Sequence, residues 1–117
     1  MSVDIDATLQ DIARETKGAA RVRFQLGDGC ELLPQLGRFD LIFADAPGGK
    51  LEGLDRSIAA LAPGGVLLVD DMDPSLHPER ELRDALQGVR AQLLEAPSLH
   101  TVELDFSSGV MLSVHRS

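Results

Sequence analysis

The sequence has no Trp and no Tyr, and aromatic residues make up 3% of it, carried by four Phe. Any core must therefore be built from Leu, Val, Ile, Ala and those few phenylalanines. A single cysteine, Cys30, excludes an internal disulfide and suits a reducing compartment. Cations are scarce: 11 Lys and Arg face 19 Asp and Glu, a formal net charge of −8. That balance excludes a broad nucleic-acid or anionic-membrane surface, both of which need clustered Lys and Arg. Long apolar runs are missing too. No stretch approaches the ~20 residues of a membrane span, and no basic segment followed by an apolar one marks a secretory leader. The expectation is a soluble, cytoplasmic protein.

What is present is enough for one core. With 117 residues and 44% hydrophobic content, residues 1–117 are expected to form a single domain. Leu9, Ile12, Ala13 and Thr16 fall at helical spacing, with Asp6 as N-cap and Gly18 as a stop. "RVRFQL" (21–26) alternates, as a strand with one less buried side does. Leu32, Leu33 and Leu36 suit a short helix. "FDLIFA" (39–44) is nearly continuous apolar, as expected of a parallel strand covered on both faces. Leu51, Leu54, Ile58 and Leu61 share a helical face, which "PGG" (63–65) is expected to stop before the buried strand "VLLV" (66–69). Pro78 is placed in the first turn of a long helix striped by Leu82, Leu86, Val89 and Leu93. Val102, Leu104 and Phe106 alternate, "SSG" turns the chain, and Val110, Leu112 and Val114 alternate again, a hairpin signal.

Strands alternating with helices predict an open α/β sheet, parallel in its centre, with a C-terminal antiparallel hairpin. Ligands of such sheets bind beyond the carboxyl ends of the strands. Those ends carry Asp4 and Asp6, then Gly27-Asp28, then Asp45, then Asp70-Asp71. Asp is common at caps and turns, but an acid at every one of these ends marks the rim as the candidate site.

In this order, "SVDID", "VRFQLGDGCELLPQL", "RFDLIFADAPGGK", "LAPGGVLLVDDMDP" and "DFSSGVMLSVHR" resemble class I S-adenosylmethionine-dependent methyltransferases, specifically the bacterial O-methyltransferase-like group. The resemblance covers nearly the whole chain and implies a Rossmann-like methyltransferase sheet. It implies methyl transfer to a small molecule, with S-adenosylmethionine as cofactor. Asp4 would accept from the ribose hydroxyls, Gly27 and Asp28 would meet the adenine, and Gly29 would offer a backbone N–H. Asp45 would lie beside the methylsulfonium and the acceptor, with Asp70 as a second catalytic acid. Catechol O-methyltransferase and its relatives also hold a divalent cation, which here implies Mg²⁺ or Ca²⁺ on Asp45, Asp70 and Asp71. The family's lysine, three residues after the first of these acids, is replaced by Gly48, and Lys50 stands two residues farther on.

The family's first strand and its Gly-rich loop precede the "VDID" strand and have no counterpart here. In the family's sheet that strand is central, between those ending at Asp4 and Asp45. The expectation is a domain lacking the first βα unit, with an unpaired edge on "FDLIFA". A homodimer or a missing N-terminal segment would complete the sheet. A non-catalytic interaction or scaffold module joining through that edge is the alternative. His77 is a candidate base or a plain helix-flanking residue; His100 and His115 read as structural. Cys30 opens a helix and nothing else marks it as a nucleophile. A phospho-acceptor receiver domain also uses an acidic cluster, but its acids and lysine occur in another order.

Overall fold

The computed structural model describes all residues from Met1 to Ser117. The elements in chain order are β1 (Ser2–Asp4), α1 (Ala7–Arg14), β2 (Phe24–Leu26), α2 (Gly29–Leu32), β3 (Phe39–Ala44), α3 (Leu54–Ala59), β4 (Leu61–Val69), α4 (Arg80–Glu95), β5 (Leu99–Leu104) and β6 (Val110–His115). Short 3₁₀ turns fill Ala19–Arg21, Leu33–Gln35 and Pro74–Leu76. No helix is long and apolar enough to cross a membrane.

The strands form two separate sheets. β1 and β2 pair in parallel, and β3-β4-β6-β5 form a four-stranded sheet, parallel between β3 and β4 and antiparallel beyond. The parallel centre and the closing hairpin are as the sequence implied. No ladder joins β1 to β3, so each keeps one open edge.

The core lies on one face of the larger sheet. Leu67 and Val69 point into it and are fully buried, as are Leu86 and Leu93 of the α4 stripe. That stripe recurs at three- and four-residue steps, so one side of α4 covers the sheet. The opposite sheet face carries no helix. "FDLIFA" is therefore not covered on both faces: Leu41 is 60% and Phe43 57% exposed. Val102 and Leu104 of β5 continue this open apolar face.

Other boundaries shift for local reasons. α1 starts as expected, with the Asp6 carboxylate accepting from Leu9 N–H at 3.0 Å. It ends at Arg14, and Gly18 (φ 89°) instead precedes the turn Ala19–Arg21. The apolar stripe of α1 is exposed at Leu9 and Ile12, while Gln10 is buried and its Nε2 donates to Gln25 O at 2.8 Å. Only Phe24–Leu26 of "RVRFQL" is strand. Leu61 is the first residue of β4 and pairs with Phe39, not the last of a helix. The "PGG" then lies inside β4 as an excursion, because the register jumps from Phe39↔Leu61 to Leu41↔Val66. A Cβ on Gly65 would meet Ala62 O and Phe39 O at 2.8 Å, so only glycine lets the chain rejoin the ladder. Pro78 lies before the α4 cap Glu79 rather than in its first turn. Phe106 falls in the hairpin turn beyond β5 and is exposed.

Candidate active site at the strand ends

β1 and β3 face each other across a cavity of about 520 Å³, within the size range of small-molecule sites. Met1, Val3 and Ile5 line one side of it. Phe39, Leu41, Ile42, Phe43 and Ala44 line the other. Residues of both parities from β3 take part, as they must when a groove follows an open strand edge. At the carboxyl ends the lining turns polar, with Asp4, Gly27, Asp28, Gly29, Asp45 and Gly48. The structure thus brings together the five positions assigned to the cofactor by resemblance. Asp70 and Asp71 do not line this cavity.

Asp4 and Asp28 are each held by their own turn. Asp4 Oδ1 accepts from Asp6 N–H at 2.9 Å, which leaves its second oxygen for a ligand. Asp28 caps α2, its Oδ1 accepting from Cys30 N–H at 2.8 Å. Its cap role and an adenine contact would therefore use different oxygens. Gly27 (φ 152°) lies where Cβ would press Leu32 at 2.8 Å. Gly48 packs so closely on the α2 start that a Cβ would come within 2.6 Å of Asp28 Oδ1. This contact joins the β2 and β3 loops at the base of the cavity.

The loop after β3 is rigidly folded. Pro47 O accepts from Leu51 N–H at 2.9 Å and Glu52 N–H at 3.0 Å. Gly49 adopts φ 96°, and its carbonyl accepts from the buried Ser57 hydroxyl at 2.6 Å. The fold aims Lys50 inward from this loop. Lys50 is only 5% exposed, and its Nζ donates to Asp70 O at 2.5 Å, with Asp71 O at 3.5 Å. Burial pushes its ammonium below the ordinary lysine value, while the carboxylates of Asp71, Asp70 and Asp45 act in the opposite sense.

Asp70 is turned elsewhere. Its Oδ1 accepts from Asp71 N–H at 2.8 Å and from Ser108 Oγ at 2.9 Å. Those two bonds, the backbone one first, hold its carboxyl below the usual range. Asp71 is exposed and sits at φ 56°, a left-handed turn outside the strand. No three acidic, histidine or cysteine side chains anywhere in the chain gather to hold a metal ion. The expected metal set Asp45, Asp70 and Asp71 thus finds no support in the arrangement of these side chains. The cation near these acids is Lys50, and Asp70 Oδ1 is engaged by the turn of Asp71 and by Ser108 of the hairpin.

Sequence reasoning missed the burial of Lys50. A signal existed: between Arg38 and Arg56 it is the only cation, amid Asp40, Asp45, Glu52 and Asp55. His77 lies outside the cavity, in the turn before α4; its buried Nε2 has no partner and its carbonyl accepts from Arg83 at 3.0 Å. Exposed His100 lies in β5, and His115 ends β6 with its Nδ1 against Arg116 O at 2.7 Å. Cys30 is a free thiol whose carbonyl accepts from Arg56 Nη1 at 2.6 Å.

No family model matches the chain, and no curated protein matches it. Solved structures do. Cofactor-bound Rv0187 from MTB matches with a TM-score of 0.83 at 21% identity, over 98% of this chain and 60% of that one. The SAH-bound methyltransferase PaMTH1 of Podospora anserina gives 0.79 at 22% identity, over 98% and 59%. The O-methyltransferase of Bacillus cereus in complex with SAH gives 0.77 at 18% identity, over 97% and 61%. The chain has the Rossmann-like fold of these methyltransferases and spans about 60% of the length of Rv0187.

Proposed function

We propose that this chain is the cofactor-binding and catalytic part of an S-adenosylmethionine-dependent methyltransferase acting on a hydroxyl of a small molecule. The observation that carries this reading is the convergence of Asp4, Gly27, Asp28, Gly29 and Asp45 on one cavity at the strand ends. That is where open α/β sheets bind ligands. The two SAH-bound neighbours and the shared fold support it.

When bound, the cofactor supplies an electrophilic methyl group on a sulfonium; the C–S bond breaks as the C–O bond forms, and the acceptor's proton must leave. This chain's residues bind and position. The free oxygen of Asp4 suits a pair of ribose hydroxyls, a charge-assisted contact. Asp28 and the close-packed Gly29 and Gly48 shape a slot for a planar base. Asp45, just beyond the end of β3, lies near the reacting centre in this reading and would take the acceptor's proton. Asp70, tied to Ser108, acts by fixing the neighbouring turn rather than by touching the acceptor. Most of the rate in such a reaction can come from alignment.

Calorimetric titration with S-adenosylhomocysteine tests the reading. Saturable binding is expected, and Asp4→Ala should weaken it by about 1–3 kcal/mol, the range for a hydrogen bond to a charged group. Absence of heat at millimolar ligand rejects cofactor binding by this chain.

A second reading is favoured by the open edges of β1 and β3, which flank one apolar groove. One added strand could pair with both, whether from a second copy or from another segment. This interaction role predicts a species larger than the monomer in light scattering. A monodisperse, thermally robust monomer counts against it.

A further inference from the structure

The rim of the larger sheet gathers negative charge at the ends of β3 and β4, and Lys50 is the cation placed against it. Its ammonium donates to Asp70 O at 2.5 Å, from a loop pinned by the Pro47 carbonyl and by Ser57. Asp70 has already committed its Oδ1 to Asp71 N–H and Ser108 Oγ. A divalent ion in this place needs oxygen ligands. Lysine is a donor only and contributes none, while its charge repels a dication at short range. A metal could enter only by expelling a buried ammonium from its carbonyl partners.

We propose that Lys50 is the resident cation of this rim, tethered by its own side chain to the backbone carbonyls of Asp70 and Asp71 beside carboxylates that do not converge on a metal ion. The rim then takes no divalent cation. Lys50 is a positioning residue: it holds the turn after β4 against the loop after β3, and so sets where Asp45 stands. The consequence for catalysis, metal-independent methyl transfer, rests on the reading under Proposed function. The cation chemistry itself does not.

The test uses the purified chain with Mn²⁺, Mg²⁺ and Ca²⁺ as probes, read by calorimetry, by Mn²⁺ electron paramagnetic resonance and by melting temperature. Wild type is expected to show no saturable binding at millimolar ion, and the same melting temperature in EDTA and in Mg²⁺. Lys50→Met should melt several degrees lower. It should gain no saturable Mn²⁺ binding, since the three carboxylates do not converge, and the ion should not restore its melting temperature. Lys50→Arg keeps the charge and should behave as wild type toward metals. Saturable Mn²⁺ binding by wild type that Asp45→Asn removes overturns the proposal. So does a folded Lys50→Met that melts with wild type, which would mean that Lys50 holds nothing in place. Should Lys50→Met fail to fold, the wild-type and Lys50→Arg titrations decide alone, since binding in either contradicts a tethered cation. None of these readouts involves S-adenosylhomocysteine, so failure of the methyltransferase reading is told apart from failure here.

Discussion

The two sheets differ in how they are held. From Met1 to Arg38 the only buried residue is Gln10, and Ile5, Leu9, Ile12 and Leu26 lie exposed. From Phe39 onward Leu61, Leu67, Val69, Leu86, Leu93 and Met111 make a continuous core. The small sheet is held by backbone pairing, by Gln10, by the stacking of Arg14 on Phe24 (4.8 Å) and by the contact of Gly48 with Asp28. The large one is held by burial. Since burial supplies most folding free energy, the β1–β2 layer is the less stable part, and the cavity lies along its seam with the stable part.

The sharpest way to break this contrast is a pair of truncations. Leu93→Ala removes a fully buried side chain and should cost about 2–5 kcal/mol in denaturant unfolding. Ile12→Ala, on the exposed stripe, should stay within about 0.5 kcal/mol. Equal costs would show that something covers the stripe in solution. Next in size, Gln10→Ala removes the bond to Gln25 O and should cost about 1 kcal/mol. Hydrogen exchange should report that loss in β1 and β2 and leave β4 and β6 unchanged. Phe43→Ser, on the open face, should alter monomer unfolding by less than about 0.5 kcal/mol. It should nonetheless shift any self-association seen by sedimentation, because that face and edge are the apolar surface on offer.

The smallest effect concerns pH. Asp70 is held below its ordinary value, first by Asp71 N–H and then by Ser108. A depressed carboxyl contributes stability that is present above its unfolded value and lost as pH falls through the folded one. Ser108→Ala should raise the folded value, so this contribution disappears at a higher pH. A carbon-detected NMR titration of the Asp70 carboxyl reads the shift directly. The stability change will be slight, since the group is close to solvent.

The order of strands, the closing hairpin and the α4 stripe were legible because each follows from side-chain period alone. The acidic strand ends were legible for the same reason: a strand's last residue fixes where its acid stands. Two things were not. Leu61 reads as the last apolar residue of a helix, yet pairing with Phe39 made it a strand, a tertiary choice that period cannot see. Lys50 reads as a surface cation in a glycine-rich loop. Only the folded loop shows that Gly49 and Ser57 turn it inward, away from the water a lysine usually keeps. The same folding decides the fate of Asp70, whose neighbour Ser108 is remote in sequence.

The excursion inside β4 has a practical consequence. Between Ala62 and Gly65 the chain leaves the ladder and returns, and Gly64, at φ 78°, has no atom within 4 Å of where a Cβ would stand. Length added or removed around Pro63 and Gly64 alters only the size of this detour. With Gly65 retained, Val66–Val69 keep their phase, and Asp70 and its Lys50 partner keep their places. The detour is thus a graft point, where a short tag or a spectroscopic label can be inserted to report on the domain without disturbing the rim.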